Sequence, residues 1–180
     1  PWRVRGLNVR WSETSVELSL RVSRAEPGIA PMPVYDLYMD LNGVPGAGSL
    51  RPLEARGVFF PARDSWEYAL VLAGPEGRLY RHNPRGEPES VGTFKAAADE
   101  VKDVWSVSIP RASLRGDPRR WGFTVLAYAE DPARPGSTPP AALVGPDGGI
   151  IMGLLAPLDV QRSVIEKRTP NARVPAARRE

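Results

Sequence analysis

Four apolar residues two positions apart, Val16, Leu18, Leu20 and Val22, alternate with Glu17, Ser19 and Arg21 in the stretch SVELSLRVS. Only an extended chain, whose side chains project to opposite sides in turn, sends the first set to a core and the second to water. The same period runs through YDLYMDL, with Tyr35, Leu37, Met39 and Leu41 on one face and Asp36, Tyr38 and Asp40 on the other. WRVRGLNVRW alternates less regularly, and turn residues from Ser12 to Thr14 mark it as the hairpin partner of SVELSLRVS. SWEYALVLA (65–73), DVWSVSIP (103–110) and WGFTVLAYA (121–129) add three more segments rich in aromatic or β-branched residues. Twenty prolines and seventeen glycines are scattered between these runs, so each apolar segment stays short and ends in a turn. The expectation is an all-β fold, an antiparallel β-sandwich with one or two short helices. FKAAADEVK (94–102) strings good helix formers together, and Leu158 to Lys167 has a weaker helical spacing with Asp159 as its cap. The connections at 43–64, 74–93 and 130–148 carry most of the Gly and Pro and read as loops on which function would be mounted.

At 180 residues the chain fits one domain, expected over 1–168, with a basic Pro, Ala and Arg tail or linker over 169–180. The net charge of +3 is small, and 24 basic residues mingle with 21 acidic ones, so nucleic acid is not demanded. The basic tail has no aromatic residue for stacking on bases. The longest apolar stretch, GGIIMGLLAPL, is too short and too glycine-rich to cross a bilayer, so no transmembrane segment is expected. Residue 1 is Pro with no Met before it, which reads as a chain processed or excerpted from something longer. With no cysteine, disulfides, thiolate catalysis and cysteine-held metals are excluded.

Catalytic machinery is hard to find. His82, the one histidine, sits in YRHNPRG, a loop-like setting with no apolar strand on either side, and reads as an exposed loop residue. No G-x-S-x-G elbow occurs, and GVPGAGS matches neither phosphate-cradling pattern. An enzyme is therefore not expected. Asp36 and Asp40 would lie roughly 13 Å apart on an extended strand, too far to share one ion. Asp40 and Asn42 are closer, and if the chain turns at Gly43 their oxygens and loop carbonyls could converge on Ca²⁺. The plainer alternative is that Asn42 and Gly43 make the turn while Asp40 hydrogen-bonds the loop backbone.

The remaining resource is aromatic. Trp105 alternates with Val107 and Ile109 as a core residue does, and Trp66 and Tyr68 share a face with Leu70 and Leu72. A sugar-binding sandwich would instead expose rings against the apolar faces of pyranoses, with carboxylates and amides bonding the hydroxyls. The candidates for that role are Tyr38, Trp66, Tyr80 and Tyr128 with Glu67 beside them.

The order of VYDLYMDLNGVPGAGS, DSWEYALVL, VSIPRASLRGDPRRWGFTVLAYAED and GPDGGI, closing near Gln161, resembles the C-terminal binding-module family of glucodextranases over about residues 4–165. The resemblance implies a β-sandwich akin to family 9 carbohydrate-binding modules and DOMON-like domains, noncatalytic and appended to secreted or cell-surface proteins. It also implies a role in attachment to polysaccharide or to the cell surface. One departure is that relatives often carry an acidic, glycine-rich segment ahead of the first strand, which is not present before Trp2 here. Haem binding, as in some DOMON-like relatives, would need Met32, Met39, Met152 or His82 as axial ligands. The expected function is thus a noncatalytic module binding polysaccharide or cell-surface glycan, extracellular or at the cell surface. The alternative is an interaction domain of a cell-envelope assembly, contacting neighbouring domains or envelope proteins through its outer face.

Overall fold

The computed structural model describes residues 2–24, 33–53, 60–99, 101–129 and 159–165. Nine strands occupy most of them: β1 (Trp2–Trp11), β2 (Ser15–Arg24), β3 (Pro33–Asp40), β4 (Tyr68–Ala73), β5 (Glu76–His82), β6 (Pro88–Asp99), β7 (Val104–Pro110), β8 (Gly122–Ala129) and β9 (Asp159–Val164). They form one mixed sheet in the order β8-β3-β4-β5-β6-β7-β2-β1-β9, antiparallel throughout except where β9 runs parallel to β1. The expected β1–β2 hairpin is present, closed at Ser12, whose hydroxyl accepts from the N–H groups of Thr14 and Ser15.

β6 explains how so long a sheet buries itself. From Pro88 to Lys95 it pairs with β5, and from Ala96 to Asp99 with β7. The sheet curls, and β2, β7 and β1 on one side of β6 share a single apolar core with β3, β4 and β8 on the other. Val16, Leu18, Leu20 and Val22 all point into that core, as their alternation requires. Trp105, Val107 and Ile109 of β7 join them.

Three expectations are corrected, two helices and one loop. No α-helix occurs among the described residues, which hold only three single 3₁₀ turns at Ala62–Asp64, Arg111–Ser113 and Pro118–Arg120. The segment 94–99, expected as helix, completes β6, because each of its ends finds an open strand edge and tertiary pairing outweighs the modest helix propensity of Ala and Lys. Asp159–Val164 likewise extends along β1 instead of capping a helix. The connection expected over 74–93 is also largely strand, containing β5 and the start of β6. The 130–148 connection, GPDGGI and the 169–180 tail lie outside the described residues.

β3 is buried on both faces. Tyr35, Leu37 and Met39 enter the main core, while Tyr38 enters a second cluster with Leu53, Phe60, Trp66, Ala69 and Leu126. The polar-looking face of YDLYMDL is covered by residues of the long β3–β4 connection.

Candidate functional site

The site is built where β3 ends. The Asp40 carboxylate accepts from the N–H groups of Asn42 (3.0 Å) and Gly43 (2.7 Å), and the Asn42 side-chain oxygen accepts from the Val44 N–H (2.6 Å). These two successive side-chain turns reverse the chain, and Gly43 (φ 67°) and Gly46 (φ 75°) supply the left-handed backbone the reversal needs. Glu67, just before β4, holds the turn from the other side. Its Oε2 accepts from the Leu41 N–H at 2.7 Å and its Oε1 from Asn42 Nδ2 at 2.5 Å. Burial raises the Glu67 pKa above the ordinary 4.5; the Leu41 N–H opposes that rise, and the nearby Asp40 charge adds to it.

Behind Glu67 stands Trp66. The chain breaks from strand geometry at Glu67, so Trp66 does not share the inward face of Tyr68, Leu70 and Leu72 but turns into the second cluster. Its backbone pairs with Ser49 in an isolated bridge, and its indole N–H donates to the Arg51 carbonyl at 3.0 Å. Tyr38 meets its ring edge-on at 5.1 Å, and the His82 imidazole lies on it at 4.1 Å. His82 is thus neither a loop residue nor freely exposed. It ends β5, is half-buried, and burial lowers its pKa below the ordinary 6.5.

Glu67, His82 and the turn open onto a cleft of about 890 Å³. The hairpin joining β5 to β6 forms one wall, ordered by Asn83, whose side-chain oxygen accepts from the N–H groups of Arg85 (2.9 Å) and Glu87 (3.0 Å). Arg81 adds a charged donor on that wall, paired through Nε with Glu89 at 2.7 Å. Arg115 and Gly116 also line the cleft. Carboxylates, amides, guanidinium groups and one imidazole face a shared open space, a chemistry suited to holding a polar, hydroxyl-rich ligand by hydrogen bonds.

The expected residues divide between this cleft and its foundations. Glu67 and Asn42 line it, and Asp40 sets the turn that places them. Asp40 and Asn42, the candidate calcium ligands, do come together, with their side-chain oxygens taking backbone N–H donors as in the plainer alternative. Among the described residues no group of three or more His, Asp or Glu is arranged to hold a metal. Tyr38 and Trp66 are 1% exposed and cannot stack on a sugar, because the β3–β4 connection closes over them. The Tyr38 hydroxyl works inside the protein, donating to Asp36 Oδ2 (3.0 Å) and accepting from the Leu53 N–H (3.2 Å). Tyr80 is half-buried against the same cluster, and Tyr128 belongs to β8 opposite Val34, where only its backbone is described. Arg81, Asn83, Glu89 and Arg115 were not singled out by pattern, and His82 was read as an exposed loop residue. Cross-strand register was the missing signal: Tyr68 pairs with Arg81, which brings the end of β5 beside the start of β4, where His82 meets Trp66. Comparison with protein families, characterised proteins and solved structures finds no match for this chain.

Proposed function

We propose that this chain is a noncatalytic carbohydrate-binding module, holding polysaccharide or cell-surface glycan in the cleft beside Glu67 and His82. The observation that carries the reading is the composition of that cleft, in which hydrogen-bonding side chains from five chain segments line one open space and Asn42, Glu67, Arg81 and Glu89 are braced by their own neighbours. Bracing matters because a weak ligand cannot supply the entropy needed to order the groups that bind it. In this reading the curled sheet acts as a two-layer sandwich of the carbohydrate-binding kind, and the glycan lies at one end of the layers. Of the two rings that line the cleft, Tyr68 and His82, the imidazole is the more exposed to an incoming sugar, and Trp66 backs it. An extracellular or cell-surface location accompanies this reading through the resemblance to glucodextranase binding modules.

A protein-docking role is less well supported, since the large apolar residues exposed in the described chain, Val44, Leu50, Val101 and Val164, are spread over three separate segments. Affinity electrophoresis through gels containing starch, dextran or cell-wall polysaccharide tests the proposal. Retardation by at least one polymer, weakened by Glu67→Gln and by His82→Ala, is the expected result. Migration unchanged in every gel, with the protein shown to be folded, would overturn it.

A further inference from the structure

Within the glycan reading, on which this inference rests, the charges in the cleft are not equally available. Glu67 already accepts from Leu41 and Asn42. Glu89 is paired with Arg81, and Glu87, on the same hairpin, accepts from Asn83 Nδ2. The carboxylates around the cleft therefore have donors of their own. Arg115 differs: it lines the cleft, and among the described residues it makes no ion pair or hydrogen bond.

Its position is fixed by others. The Arg111 guanidinium donates to the Leu114 carbonyl at 2.7 Å and to the Gly116 carbonyl, spanning the residue between them. The same guanidinium rests over the Trp121 ring, 5.8 Å from its centre. Gly116 takes φ 75°, and a Cβ there would sit 3.1 Å from both the Leu41 carbonyl and Trp121 Nε1, so the loop is seated against the end of β3. Asp117, the nearest acid in sequence, is committed to Arg119 through a 2.6 Å ion pair that pulls its pKa down to about 2. A clamped loop thus presents one uncommitted guanidinium to a cleft whose acids are already satisfied.

We infer that the cleft selects an acidic polysaccharide, with Arg115 taking a uronate carboxylate while Glu67, Asn83 and His82 face the sugar hydroxyls. A planar guanidinium matches a carboxylate with two parallel hydrogen bonds, which a neutral glucan could not use.

Affinity electrophoresis of the whole chain in gels containing polygalacturonate, dextran or dextran sulfate tests this, with Arg115→Ala and Arg115→Lys as variants and thermal melts to confirm folding. The expected result is retardation by polygalacturonate, weakened about tenfold by Arg115→Ala, partly kept by Arg115→Lys, and reduced by added salt. Retardation by dextran alone would overturn the acidic assignment and leave the glycan reading standing. Stronger retardation by dextran sulfate than by polygalacturonate would also overturn it, since charge density alone would then govern binding. Retention unchanged in a folded Arg115→Ala variant would remove Arg115 from the site. No retardation by any of the three polymers would overturn this inference, and failure with starch and cell-wall polysaccharide as well would take the broader reading with it.

Discussion

At the scale of single residues, the site depends on two close arrangements. A Cβ on Gly48 would lie 2.4 Å from the Trp66 carbonyl oxygen, a backbone atom that cannot swing aside as a side chain would. Gly48→Ala must therefore push the chain off its bridge to Trp66, and we expect a loss of roughly 1–3 kcal/mol in urea unfolding, as for other overpacked positions. Stability equal to the parent protein would show that the 47–49 segment is not held against Trp66. The second arrangement concerns calcium. Asp40, Asn42 and Glu67 gather their oxygens around one turn, but five hydrogen bonds from N–H donors already aim at them. An ion would have to displace several of these, so neither chelator nor millimolar CaCl₂ should move the melting temperature. A rise with calcium that chelator reverses would mean the turn binds the ion, because a ligand held only by the native state must stabilise it. The turn itself was legible, since Asp-x-Asn-Gly is a reversal written in side-chain chemistry. Glu67's role was not, because it depends on a partner 26 positions away in sequence.

At the scale of elements, period two placed six strands close to where they lie, because a half-buried strand advertises its two faces. It failed for β5, which was read as part of a loop, for β6, whose burial follows no clean alternation as it passes from one neighbour to the next, and for β9, whose described side chains lie mostly in solvent. Strands of this kind are decided by the edges that receive them. The β4–β5 ladder has a pH-dependent consequence that no single segment reveals. His82 has a lowered pKa in the folded state, so the unfolded chain binds more protons as pH drops below the ordinary 6.5. The imidazole's contribution is fully present above 6.5 and is lost as pH falls through its folded value. Glu67 has the opposite sign: its raised pKa contributes stability below 4.5 that is lost as pH rises through the folded value. The two must be separated by variants. Thermal melts at pH 7.5 and 5.5 should show His82→Phe, which keeps a ring on Trp66, losing less stability on acidification than the parent. Identical pH dependence of the two proteins would contradict an imidazole whose pKa half-burial lowers.

At the scale of the whole molecule, the two ends of the sheet meet. Arg162 of β9 donates to the Trp121 carbonyl at 2.7 Å, just before β8, and lies 6.0 Å over the Phe123 ring in β8. One side chain thus ties the last strand in the sheet order to the first, a closure invisible to any reading of local pattern. Its removal tests how the molecule holds together. Arg162→Ala forfeits a charged hydrogen bond and a ring contact at a partly exposed seam, which should cost about 1–2 kcal/mol. The halves on either side of β6 share the main core, and the small second cluster lies behind β3, β4 and β8, strands whose other face that core covers, so opening one half exposes the other. Unfolding of both parent and variant should therefore be a single transition, with far-ultraviolet circular dichroism and tryptophan fluorescence coinciding in urea and only the midpoint shifted. Trp105 reports from one side of β6, Trp66 and Trp121 from the other, so fluorescence samples both halves. If the variant instead lost strand signal at lower urea than fluorescence, the β9–β1 end would be peeling away independently, and the closed seam rather than the shared core would be what makes the fold cooperative.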